Sequence, residues 1–413
     1  MMSVKQAAVA KREFMMLSEL FSEEEMTSIS STGKITKRIK QQYEVIPRPE
    51  HFCQIVDIDI NLKGNSTKGV PCMDGYPIRS VENAVSYIRQ LLSSGIRAVT
   101  VRLGGNPVNP TNTENYSYDP LLVNSSFEVK SVKDYDLILA AHVEVFKELR
   151  NQFPKGTLHI TGDPFGIAPN SDDGAWGIKR SDGKIDYPAT LELIAKIATA
   201  YAGAGVDALL SLGRIEREVE VARKALNRMH LEVEIQSFSQ NVESKAAYIY
   251  LDDVQRKKDS FQKILPGNFN EMNFRAITDI YEGSDTVVVK PTENLHIVSA
   301  TRQFLNSKQE MLTFLTSQAV KDMIQGNEYL SSMVFDILMD SDAFFDKCRK
   351  VKLSTYTVSG TYYLHKLLEQ QKGESFAFSV VDELYKNIIS AAGPYFGKIM
   401  DRNAFWYIEQ LSR

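Results

Sequence analysis

From residue 52 onward, short β-branched runs alternate with longer amphipathic stretches. The strand-like runs are FCQIVDIDI (52–60), RAVTVRL (97–103), TLHITGD (157–163), DALLSL (207–212), VEIQSFS (233–239), DTVVVKP (285–291), LSTYTVSG (353–360) and PYFGKIM (394–400). Between them, apolar residues recur every three or four positions. VENAVSYIRQLLSSG sets Val81, Ala84, Ile88 and Leu91 on one stripe, and KDYDLILAAHVEVFKELRNQF, ATLELIAKIATAYAGAGV and REVEVARKALNRM share that helical period. Strand followed by helix, repeated eight times, predicts an α/β fold with a parallel sheet, closing most naturally into a (β/α)8 TIM barrel. A doubly wound open sheet is the alternative. It needs a glycine-rich phosphate loop after the first strand, whereas LGGNPVNP follows the second and does not match GxGxxG.

Two stretches exceed a minimal barrel. Residues 1–45, rich in Ser, Glu, Lys and Met, read either as an N-terminal arm that packs on a neighbouring subunit or as a frayed terminus. Residues 305–350 read as two or three helices inserted between strands six and seven, within one barrel domain spanning 46–413.

Composition narrows the function. The 413 residues are 43% hydrophobic and 24% charged, with a net charge of -4. That balance lacks the basic excess of a nucleic-acid binder. No apolar run approaches the ~18 residues that span a membrane, and the first residues lack a signal-peptide pattern. Three scattered cysteines, Cys53, Cys72 and Cys348, form no CxxC and argue against a disulfide framework or a cysteine-rich zinc site. The expectation is a reduced, cytoplasmic protein without nucleic-acid or membrane partners.

In such a barrel, chemistry collects at the C-terminal ends of the strands. Those ends offer Asp163, Arg214, Ser239, Asn241, Lys290, Ser359, Asp401 and Arg402. Lys290 stands out, because it closes the apolar strand TVVVK. Walled by barrel side chains, a lysine is driven toward the neutral amine that forms an imine with a carbonyl. The competing reading is a strand-end lysine that snorkels to solvent. Asp163 and Asp401 suit either proton transfer or helix capping. Ser359 suits a substrate carboxylate or a turn. The acidic loop NSDDGAW (170–176) lacks the spacing of a calcium or magnesium site. Arg214, among Arg217, Glu216, Glu218 and Glu220, also reads as part of a salt-bridged surface.

Four segments together resemble the porphobilinogen synthase (5-aminolevulinate dehydratase) family, in order and over roughly residues 45–413. They are CMDGYPIRSVENAV, DGAWGIKRSDGKIDYPATLELIAKIATAYAGAGVD, LPGNFNEMNFRAITDIYEGSDTVVVKP and TYTVSGTYYLHK. The resemblance implies a TIM barrel whose N-terminal arm assembles oligomers. It implies condensation of two 5-aminolevulinate molecules into a pyrrole, each held as a lysine imine. The lysine of the family's V-K-P falls on Lys290. The V-S-G serine, which helps hold a substrate carboxylate, falls on Ser359, and the following tyrosine on Tyr362. The second lysine falls on Asn241, with Lys245 four residues on. The family's arginine after strand four is unmatched, and Arg214 is the nearest cation. The family's metal ligands map to GDPFGIAPNSDDGAWG, which has no cysteine, so no metal or other cofactor is expected.

One imine site is thus kept and the other altered. The expected activity is a divergent lyase. Lys290 and Asp163 would be catalytic, and Ser359, Tyr362, Asn241, Ser239, Arg214 and Lys245 would bind substrate. The substrate would be 5-aminolevulinate or a similar small amino ketone or keto acid, undergoing condensation or dehydration in a homo-oligomer. The alternatives are a catalytically degenerate partner or regulatory subunit, and ordinary porphobilinogen synthesis with the second lysine relocated to Lys245.

Overall fold

The eight runs form strands because their Val, Ile, Leu and Thr side chains suit a sheet covered on both faces. A computed structural model describes residues 21–31, 45–70, 73–105, 132–168, 175–242, 244 and 267–412. The chain divides into two units, Met1–Glu44 and Val45–Arg413. In the first, helix α1 (Glu23–Ser31) starts at Ser22, which exchanges hydrogen bonds with Glu25. The rest of the expected arm lies outside the described residues.

The second unit is the barrel. Its strands are β1 (Phe52–Asp59), β4 (Ala98–Gly104), β5 (His159–Asp163), β6 (Ala208–Ser211), β7 (Glu234–Ser237), β8 (Thr286–Val289), β9 (Lys352–Tyr356) and β10 (Phe396–Asp401). All are parallel, each pairs with the next, and β10 pairs back onto β1. This is a closed (β/α)8 barrel, and the open-sheet alternative falls away. A short antiparallel hairpin, β2 (Thr67–Lys68) and β3 (Ile78–Arg79), extends the sheet beside β1.

Helices α2 (Val81–Ser93), α3 (Val132–Gln152), α4 (Tyr187–Gly203), α5 (Glu218–Arg228), α6 (Phe269–Glu282) and α7 (Leu295–Asn306) follow successive barrel strands. On α2, Ala84, Ile88 and Leu91 are buried, and Ser80 caps the helix by accepting from the Asn83 N–H. Between α7 and β9 the expected two or three helices are four: α8 (Lys308–Leu315), α9 (Gln318–Ile324), α10 (Glu328–Met339) and α11 (Ser341–Cys348). Each begins at its own capping side chain, Ser307, Ser317, Asn327 or Asp340, which explains the breaks. Helices α12 (Ser359–Lys372) and α13 (Glu374–Ala392) join β9 to β10, and α14 (Ala404–Leu411) closes the chain.

Apolar packing forms two layers. One lies between sheet and helices. The other fills the barrel axis with residues such as Ile55, Leu210, Phe238, Val288, Tyr356 and Met400. The lower rim is held by a device used twice. Arg150 on α3 donates to the carbonyls of Phe153, Leu158 and Gly205 and pairs with Asp207 at 2.6 Å, while Asp207 accepts from the Ile160 N–H. Arg223 on α5 repeats this with the carbonyls of Val233 and Gly283 and with Asp285, which accepts from the Ile235 N–H. A guanidinium thus satisfies carbonyls where helices turn into strands, far from the end that carries chemistry. Arg150→Ala leaves these carbonyls and Asp207 without their donor. The expected loss is about 3 kcal/mol of stability, read as a lowered urea midpoint. A midpoint equal to that of the parent chain would refute the rim-clamp role.

Candidate active site

Side chains alternate across a strand, so every second residue faces the barrel axis. In parallel strands, register partners share a face. Asp57 on β1 is paired with Arg102 on β4, and Arg102 with Asp163 on β5. All three are at most 3% exposed. They form a polar layer directly above the apolar axis, at the C-terminal end of the barrel.

Lys290 enters this layer from β8. It is 6% exposed, and its Nζ lies 5.0 Å from the centre of the Phe238 ring and 5.8 Å from that of Tyr356. The snorkelling alternative is therefore not what the fold adopts. Lys290 is close enough to Asp163 for their charges to interact. Burial pushes the Asp163 carboxyl up, against the opposing influence of Arg102, Lys290 and the Phe165 N–H, which donates to it at 2.9 Å. Asp163 is thus both the cap of the 3-10 turn Pro164–Ile167 and an inward-facing acid.

Asp57 pairs with two arginines. Nε and Nη2 of Arg102 both approach Asp57 Oδ1 at 2.6 Å, and Arg402 Nε and Nη2 reach Oδ2 at 3.4 Å. Burial opposes the charge on Asp57, but the two guanidiniums prevail and hold its carboxyl below the usual range.

The remaining expected residues divide. Asn241 forms an isolated parallel bridge with Lys290, and Val242 N–H donates to the Lys290 carbonyl at 2.7 Å. Asn241 is therefore the register neighbour of Lys290. Ser359, fully buried, opens α12 just beyond β9. Tyr362 lies at the rim. Its hydroxyl donates to the Asp74 carbonyl at 2.7 Å, and its ring packs 5.6 Å from that of Tyr76, which lies against Arg402.

Ser239 and Arg214 stand elsewhere. Ser237 pairs with Val287, but Asn241 pairs with Lys290, so β7 gains one residue between these points. Ser239 shares the outward face of Ser237 by alternation, and its hydroxyl donates to Asp279 on α6 at 2.9 Å, while the bulge carries Asn241 inward. Ser239 and Arg214 line a separate cavity of about 760 Å³ on the helix side of the barrel wall, with Arg275, Asp279 and Glu282. The expectation that they share a site with Lys290 is corrected by this placement, because that cavity is not lined by Lys290. Asp401 is likewise a structural carboxylate. It accepts from Thr357, Tyr385 and the Asn403 N–H at 2.6, 2.7 and 2.6 Å. Lys245 and the loop segment 169–174 lie outside the described residues.

Sequence reading missed Asp57, Arg102, Phe238 and Tyr356, and gave Arg402 no role. A signal existed: Asp57 and Arg102 are charged residues at alternate positions of otherwise apolar strands.

A family model for delta-aminolevulinic acid dehydratase matches residues 48–314. The chain belongs to the delta-aminolevulinic acid dehydratase family. Two chloroplastic delta-aminolevulinic acid dehydratases are similar over part of their length. That of Physcomitrium patens is 30% identical over 152 residues, covering 35% of this chain and 34% of the relative. That of Selaginella martensii is 26% identical over 166 residues, covering 38% of each. The matched part thus spans little more than a third of either relative. The fold is similar to the Toxoplasma gondii enzyme solved with porphobilinogen, with a TM-score of 0.59 and 17% identity over 89% of this chain and 86% of that one.

The chloroplastic relatives conflict mildly with the cytoplasmic expectation. Among the described residues, no helix is long and apolar enough to cross a membrane. Nor do the described residues hold any group of three or more His, Cys, Asp or Glu placed to bind a metal. In the segment where dehydratase-family metal ligands map, Asp163 is the single such side chain among the described residues, and Asp172 and Asp173 lie outside them.

The outer cavity gives the dehydratase fold a pH signature. Burial, reinforced by neighbouring carboxylates, pushes Asp279 up to about 7 and Glu282 up to about 8. Unfolded, both release their protons near pH 4. Between these values the folded chain binds more protons, so stability falls as pH rises from about 5 to 8. Asp279→Asn removes one of these groups and is expected to make the fall shallower. Urea midpoints measured at pH 5.5 and 8 test this, and an equal slope in both proteins would refute it.

Proposed function

We propose that this chain is a divergent member of its dehydratase family that forms one imine, at Lys290. The carrying observation is the setting of Lys290: a buried amine at the C-terminal end of β8, between two aromatic rings and beside an acid. The substrate is 5-aminolevulinate or a similar small amino ketone or keto acid, and the overall reaction is a condensation or dehydration. The N-terminal arm serves a homo-oligomer.

The chemistry follows from the side chains. The Lys290 amine attacks the carbonyl carbon, the C–O π electrons move to oxygen, and a carbinolamine forms. Loss of its hydroxyl as water then gives the imine. Asp163, its carboxyl raised by burial, is suited to hand a proton to that hydroxyl and to take one back later. Asn241 beside Lys290 carries an amide, which cannot form an imine, and this supports a single covalent attachment.

The test is reductive trapping. The protein is incubated with 5-aminolevulinate, treated with borohydride and weighed intact by mass spectrometry. One adduct on Lys290 is expected, with none in Lys290→Met. Asp163→Asn is expected to slow trapping by roughly 10²–10⁴-fold. Absence of an adduct with 5-aminolevulinate and with a panel of keto acids and aldehydes would overturn the reading. So would labelling that persists in Lys290→Met.

A further inference from the structure

The polar layer around Lys290 contains two side chains, Arg102 and Tyr356, with buried donors that make no hydrogen bond. Arg102 is 2% exposed; its Nε donates to Asp57 Oδ1 and its Nη2 lies in ion-pair contact with the same oxygen, yet Nη1 and Nη2 are both buried and make no hydrogen bond. Tyr356 is 1% exposed, and its hydroxyl is equally buried and unpartnered. Its ring is fixed edge-to-face against Phe238 at 5.0 Å. The phenol therefore cannot swing to another acceptor without breaking that packing. Buried donors in folded proteins are nearly always satisfied, so unpaired donors on two side chains of one layer call for an acceptor.

The charges point the same way. Arg102 and Arg402 both pair with the buried carboxylate of Asp57. Lys290 adds a third basic group. The other carboxyl in the layer, Asp163, is pushed by burial toward its neutral form. Tyr356 lies within electrostatic reach of Arg102, Arg402, Asp163 and Asp57 together. The layer is thus rich in basic groups around the unsatisfied donors of Arg102 and Tyr356. Buried donors without an acceptor are costly, and a small anion supplies acceptors that suit a basic layer.

We propose that Arg102 Nη1 and the Tyr356 hydroxyl form an anion subsite inside the barrel that binds the carboxylate of a short keto acid whose carbonyl reacts at Lys290. This rests on the imine reading above and assigns the carboxylate to the barrel interior, on β4 and β9, instead of to Ser359 at the start of α12. A planar guanidinium edge and a phenol donor suit the two oxygens of one carboxylate. Neutral carbonyl compounds of the same shape leave both donors unpaired and bind more weakly.

The test compares levulinate with its methyl ester in borohydride trapping at Lys290. In the parent protein the half-saturating concentration for the acid is expected to lie at least tenfold below that for the ester. Tyr356→Phe keeps the ring and removes only a hydroxyl that bonds nothing, so the variant folds, with an unfolding temperature equal to or above that of the parent. It is expected to raise the half-saturating concentration for the acid about fivefold to twentyfold. The maximal trapping rate and the values for the ester stay in place. Arg102→Lys is expected to erase the preference for the acid if it folds, and Tyr356→Phe carries the test if it does not. Equal half-saturation for acid and ester, or an unaltered preference in Tyr356→Phe, would overturn the subsite and leave the imine standing. Calorimetric titration of levulinate into Lys290→Met, which forms no imine, separates the two readings. Binding weakened by adding Tyr356→Phe supports the subsite even where trapping fails. No binding there overturns it.

Discussion

The ion triad of Asp57 with Arg102 and Arg402 is the constraint around which the upper barrel is organised. Strand β1 is the seam of the closed sheet, pairing with β4 on one side and β10 on the other. Asp57 sits on that seam and holds one guanidinium from β4 and another from the end of β10. A carboxylate carried away from water survives there because two cations flank it. The same arrangement brings three strands of the barrel into one polar layer, and Lys290 and Asp163 complete that layer from β8 and β5. Closure and site chemistry share side chains, so neither is independent of the other.

The β7 bulge divides the molecule's polar residues between two places. Alternation sets Phe238 on the axis and Ser239 toward α6, and one extra residue beyond them lets Asn241 reach the register of Lys290. Gln240 also turns to the helices, donating to Thr301 and to the Met272 carbonyl. The outer cavity with Asp279, Glu282 and Arg214 is therefore separated from the imine lysine by the barrel wall. Asp279 and Glu282 there keep their protons to about 7 and 8 because burial disfavours their charge. Asp57 carries a charge because arginines face it. Three buried carboxyls thus differ in state according to their partners, not their depth.

The barrel was legible in the sequence because alternation and helical period are local properties. Eight runs of β-branched residues, spaced by amphipathic stretches, leave few ways to bury both faces of a sheet. Lys290 was legible for the same reason, as a basic residue ending an apolar strand. The breaks between the helices after α7 are not legible in the sequence, because an apolar period continues across Ser317, Asn327 and Asp340. Only backbone geometry shows those side chains capping new helices.

What the sequence alone determined is the order of strands and helices, the family, and the lysine at the end of β8. The tertiary structure alone decided the company that lysine keeps. Arg102 and Arg402 lie 45 and 345 residues from Asp57, so no local pattern links them. Ser239 and Asn241 look equivalent by alternation and are separated by one bulged residue. Secondary structure follows from neighbours along the chain, but a buried charge is fixed by whatever barrel closure brings within a few ångströms of it.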